Sequence, residues 1–218
     1  MSRALRRNWT GTVLVTGFGR FPGAPFNPSA PLAEKLVRLR RPAFSDMRLL
    51  AHVFPTSYAA VDRDLPRLLA EHRPDILLMF GVAPKSRRVR IETVARNLLS
   101  RFPDAARFSP ARRRIADSSL NRLRNPFPAM RLLAAARTRP CRAVLSANAG
   151  RYLCNYIYWR ALESAARTGF PKLAAFVHIP PVRRSGRRGG KALPCAADLL
   201  RTAEAILAAL IGAAKRPH

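Results

Sequence analysis

Three side chains spread along the 218 residues could together break an amide bond: Cys154, His178 and Glu92. Cys154 lies in residues 145–160, LSANAGRYLCNYIYWR, where an apolar run breaks at the turn Asn148-Ala149-Gly150 and resumes with helical spacing. A cysteine in the first turn of such a helix faces exposed backbone N–H groups and the positive end of the helix dipole, which stabilise an anion. The thiolate, not the thiol, is the nucleophile. Taken singly, each residue has a plainer reading. A free cysteine is usually a small buried hydrophobe, and a lone histidine at a strand end is usually structural. Glu92, with Arg87, Arg88, Arg90 and Arg96 nearby, reads as a surface ion-pair partner. Together they supply a nucleophile, a base to take its proton and an acid to orient the base.

The elements that must position them follow from periodicity. Residues 12–16 read as a buried strand, followed by a glycine-rich turn over 17–23 (GFGRFPG). Its spacing and the prolines at 22 and 25 do not suit a dinucleotide-binding helix start. Asn27-Pro28-Ser29 offers a turn, or a cap for a helix over 31–39. A strand at 48–54, a helix at 58–72 and a continuous apolar strand at 75–80 come next. Residues 89–97 alternate like a strand that contains Glu92, whereas 101–124 is poor in apolar residues and reads as an irregular basic excursion or lid. A helix at 127–137, a core strand at 141–147, a helix at 152–168 and a strand at 172–179 follow. A basic loop at 183–191 leads into a C-terminal helix at 194–213. Strands alternating with helices imply one α/β domain over residues 1–218, its mostly parallel sheet covered on both faces. Functional residues of such sheets gather at the carboxyl ends of strands. Cys154, His178 and Glu92 each fall at or near one.

Composition narrows the function. Hydrophobic residues make up 48% of the chain, enough for a full core, and no apolar run approaches the roughly 18 residues that span a membrane. Val13-Leu14-Val15 is too short for a secretory signal and reads as a core strand. Three cysteines without scaffold-like spacing suggest a reducing compartment. The net charge of +28 will attract nucleic acid and other anions non-specifically. The arginines are spread along the chain, and no nucleic-acid-binding motif accompanies them, so drift toward arginine is the favoured reading. A nucleic-acid-binding protein on an inactive hydrolase scaffold is the alternative.

The motifs also resemble the pyroglutamyl-peptidase I (pyrrolidone-carboxylate peptidase) family. VLVTGFGRFPGAPFNPS looks like its opening strand and loop, and HVFPTSY and PDILLMFGVA look like its next two strands. RIETVARN is similar to the I-x-x-E-R-V-A-x-N segment that carries the catalytic Glu, here Glu92. SANAGRYLCNYIYW is similar to S-x-x-A-G-x-Y-x-C-N-x-x-x-Y, which carries the nucleophile, here Cys154. FVHIP is similar to F-I-H-V-P, whose histidine is the base, here His178. The resemblance implies a three-layer α/β/α sandwich with a twisted, mostly parallel central sheet, of the phosphorylase/hydrolase-like kind. It implies removal of an N-terminal pyroglutamyl residue from a peptide through a thioester, in the cytoplasm, with no metal or cofactor, by an enzyme commonly assembled as a homotetramer. It also implies an oxyanion contact from Arg101, in the counterpart of the family's A-R-I-P-D, and ring-flanking contacts from Phe18 and Phe21. Asn27 matches the family's N-P-S asparagine. Val82 stands where the family's G-Q-A-G-G-R has glutamine, in a loop that here reads GVAPKS over 81–86. Val82 and Pro84 motivate a further reading, the same thiol chemistry on another small N-blocked peptide or amide.

Overall fold

The computed structural model describes residues 10–21, 25–183 and 193–215. Of the basic loop at 183–191, only Arg183 is among them. The central sheet holds six strands: β1 (Gly11–Phe18), β2 (Met47–Phe54), β3 (Ile76–Val82), β4 (Val89–Glu92), β7 (Ala143–Ser146) and β8 (Leu173–Ile179). Their order is β2-β1-β3-β8-β4-β7. Every pairing is parallel except β4 with β8.

Side-chain alternation along the strands sorts the core into two halves. On β3, Ile76, Leu78 and Phe80 join one cluster, and Leu77 and Met79 join the other. The first cluster is completed by helices α1 (Ser29–Val37), α3 (Ala129–Arg137) and α5 (Ala196–Ala214). The second is completed by α2 (Tyr58–His72) and α4 (Leu153–Thr168). Burial on both faces explains why β3 reads as an unbroken apolar run. The result is the expected α/β/α layering.

Two segments differ from the sequence expectation. Residues 89–97 form two strands rather than one. At Thr93 the backbone N–H and Oγ1 both donate to the Ser146 carbonyl, at 2.7 and 3.1 Å, and end the run in the main sheet. The chain then enters β5 (Val94–Arg96), which pairs antiparallel with β6 (Arg122–Arg124). The excursion at 101–124 is therefore irregular only as far as β6.

Its backbone is held by two buried polar side chains. Asn97 Oδ1 accepts from the N–H groups of Ile115 and Ala116, while its Nδ2 donates to the carbonyls of Ala116 and Leu120. The Asp104 carboxylate, 1% exposed, accepts from the N–H groups of Tyr58, Ala106 and Phe108 at 2.8–3.0 Å. The first of these satisfies an orphan donor at the start of α2. We therefore expect Asp104→Ala to orphan the buried N–H of Tyr58 and free two part-buried ones, at a cost of about 2 kcal/mol, a fall in melting temperature of roughly 4–8 °C. Calorimetry checks this; a change below about 1 kcal/mol would show that water replaces the carboxylate.

Candidate active site

Alternation decides which side chains can meet. Ala174 and Phe176 on β8 point into the α2/α4 core, so His178 continues that face. On β4, Val89 and Ile91 point the other way, which leaves Arg90 and Glu92 on the same face as His178. The antiparallel pairing sets Arg90 opposite His178 and Glu92 opposite Phe176. After β7 the chain turns through Asn148-Ala149-Gly150, with Gly150 at φ +85°, a region that favours glycine, and starts α4 over this face. Cys154 is the second residue of α4. No side chain caps that helix start, so its first N–H groups remain available.

His178 Nδ1 lies 2.9 Å from Glu92 Oε1. The Cys154 sulfur lines the same cavity as this imidazole and lies close enough to act on its protonation. Glu92 is fully buried and reads as no surface residue at all. Arg90 Nε approaches Oε1 at 3.3 Å, and the Asn148 N–H donates to Oε2 at 3.3 Å. A buried carboxylate survives only with such partners. The turn at 148–150 thus braces the acid as well as leading into the helix. Tyr158, one turn after Cys154, donates its hydroxyl to the Glu92 carbonyl at 2.9 Å and ties helix to strand.

Burial alone would lower the pKa of His178. The anionic sulfur of Cys154 and the Glu92 carboxylate more than reverse this and raise it to about 9. The ring is therefore held as imidazolium at neutral pH.

A cavity of about 460 Å³ opens over the sulfur. Phe18, Phe21, Asn27 and Val82 all line it together with Cys154 and His178. Asn27 serves as wall rather than free ligand: its Nδ2 donates to the Gly19 carbonyl, and its Oδ1 accepts from the N–H and Oγ of Ser29. Arg101 is exposed and is not among the residues that line the cavity, whereas its neighbour Phe102 is. The arginine in the wall is Arg90, which sequence reasoning counted only among surface charges. Its place two residues before Glu92, on the same strand face, was the signal that could have found it. Thr56, whose Oγ1 donates to the Gly19 carbonyl, carried no such signal.

Gly81, at the end of β3, faces the nucleophile. A Cβ there would sit 2.7 Å from Cys154 Sγ and 2.9 Å from Phe176 Cζ. We expect Gly81→Ala to push the sulfur off His178 and cut kcat by about 100-fold. The accompanying overpacking should cost roughly 1–3 kcal/mol of stability. Steady-state kinetics beside thermal melting separate the two effects; wild-type kcat would mean the site absorbs the methyl.

Comparison with known proteins extends the geometry. The pyroglutamyl peptidase family model matches residues 11–212. The pyrrolidone-carboxylate peptidase of Pyrococcus furiosus is 30% identical over 169 residues, 77% of this chain and 80% of that protein. The one from Clavibacter michiganensis is 33% identical over 171 residues, 78% of each. Among solved structures, a variant of the Pyrococcus furiosus pyrrolidone carboxyl peptidase superposes with a TM-score of 0.83 at 25% identity. That match covers 93% of this chain and 99% of that one. The Thermococcus litoralis enzyme also reaches 0.83, at 25% identity, over 93% and 94%.

Proposed function

The chain belongs to the pyroglutamyl peptidase family, and on that premise we propose that Cys154, His178 and Glu92 hydrolyse the bond after an N-terminal pyroglutamyl residue. The observation that carries the reading is the ring of His178, held by Glu92 at 2.9 Å, in the wall of the cavity that Cys154 also lines. The sulfur attacks the pyroglutamyl carbonyl, and the N–H groups at the uncapped start of α4 receive the oxyanion. His178, charged at rest, gives its proton to the leaving amine, and Glu92 keeps the ring in register. Water then hydrolyses the thioester, with His178 as base. Phe18 and Phe21 in the cavity wall suit a flat, uncharged lactam.

The substrate is thus a peptide with a blocked N-terminus. No helix among the described residues is long and apolar enough to cross a membrane. Three free cysteines support action in the reducing cytoplasm. Assembly as a homotetramer is the family-based expectation, which light scattering would check. The test of the activity is release of aminomethylcoumarin from its pyroglutamyl amide, run beside a panel of other N-blocked amides. Val82 and Pro84 in the cavity wall favour including that panel. An intact pyroglutamyl substrate, with Cys154 alkylated no faster than free cysteine, would overturn the reading.

A further inference from the structure

The loop between β3 and β4 walls a second cleft, of about 870 Å³, beside the catalytic cavity. Ala83, Pro84 and Arg90 line both, so the two spaces adjoin. The second is also lined by Lys85, Arg87 and Arg88, and by no carboxylate. All three of these cations are exposed, and among the described residues none makes an ion pair. Their backbone is nonetheless fixed. The Ser86 N–H donates to the Ala83 carbonyl at 2.9 Å, and the Ser86 hydroxyl bridges the carbonyl and N–H of Arg88 at 2.8 and 3.1 Å. The cleft therefore presents a preset row of positive charge at the rim of the site.

What reaches it follows from the reaction. A pyroglutamyl residue has nothing before it, so any chain that leaves the catalytic cavity is the leaving peptide. The leaving amine collects its proton from His178, and Arg90 is paired across the sheet with His178. The leaving peptide thus starts next to the one arginine that borders both spaces. We propose that this cleft receives the residues after the pyroglutamyl group and prefers peptides that carry carboxylates there. The proposal rests on the function proposed above and names the substrate class of the same site.

The experiment uses the full chain and three peptides: pyroglutamyl-Ala followed by Glu-Glu, Gln-Gln or Lys-Lys. At low ionic strength kcat/KM should favour the acidic peptide over the neutral one by about fivefold to twentyfold, mostly through KM, and the preference should shrink in high salt. Replacing Arg87→Gln together with Arg88→Gln should collapse the acidic-to-neutral ratio. Arg137→Gln with Arg139→Gln removes the same charge at exposed positions before β7, at the far end of that strand from the site, and should preserve the ratio. Equal kcat/KM for the three peptides, or equal loss in both double variants, overturns the proposal. Binding of the same peptides, fluorescein-labelled at the C-terminus, to Cys154→Ala gives a second readout that needs no turnover. If no pyroglutamyl peptide is cleaved, the activity is refuted, while the binding ratio still decides the cleft. A single-stranded oligonucleotide that displaces the acidic peptide at lower concentration, and loses that advantage only in the Arg87/Arg88 variant, would make the cleft a nucleic-acid site and overturn the proposal.

Discussion

Cys154→Ala should give a folded protein whose kcat on a pyroglutamyl amide is lower by about 10⁴-fold or more. The loss is near total because nothing else among the cavity-lining residues can form the thioester. His178 and Glu92 without the sulfur form a base with no nucleophile to activate, and Cys141 and Cys195 lie outside the lining. Stability should change little, by about 1 kcal/mol, since Cys154 is only partly buried and alanine suits the first turn of a helix. Turnover is read from coumarin release, and folding from thermal melting of the same sample. A variant that kept a tenth of wild-type turnover would remove the sulfur from the mechanism.

The second large effect belongs to Glu92→Gln, expected to lower kcat/KM by about 10²–10⁴-fold. The amide keeps the shape of the carboxylate but removes the negative charge that His178 Nδ1 faces at 2.9 Å. Its sign with pH is fixed. His178 has a pKa raised from 6.5 to about 9 in the folded chain, so the fold binds that proton more tightly than the unfolded chain does. The stability gained is complete below pH 6.5 and is lost as pH rises through about 9. Wild-type melting temperature should therefore fall across that window, and the fall should be shallower in Glu92→Gln. The alkaline limb of kcat/KM should move to lower pH in the variant, because an imidazolium with one anionic neighbour gone releases its proton sooner. A melting temperature flat with pH in the wild type would mean the fold does not hold His178 charged.

What could be read in advance follows from period. The two-residue repeat of β3, β4 and β8 decides which side chains share a face. Glu92 and His178 were found because each falls at or near the end of a strand, in a segment that resembles a catalytic motif of the family. The start of α4 was equally legible, because the break at 148–150 and the helical spacing after it are both local. The excursion was not. Asn97 and Asp104 act through contacts to distant backbone that no local pattern announces, and β6 pairs with a strand that the alternating segment had concealed. On such an irregular segment no period says which of two neighbours borders the cavity, as Phe102 does. In a chain with 40 basic residues, Arg90 was hidden by abundance. The contact of its Nε with Glu92 and its place in the cavity wall set it apart.

The position of β8 also bears on when the protein becomes reactive during its synthesis. This strand is the last of the sheet to be made, yet it lies between β3 and β4, flanked by strands made long before it. Until it emerges, β2-β1-β3 and β4-β7 have no seam to join them, and that seam must close over long loops, which is slow. It is the same seam that brings His178 to Glu92 and to the sulfur. A nascent chain therefore carries Cys154 without its base, and the step that completes the sheet also completes the site.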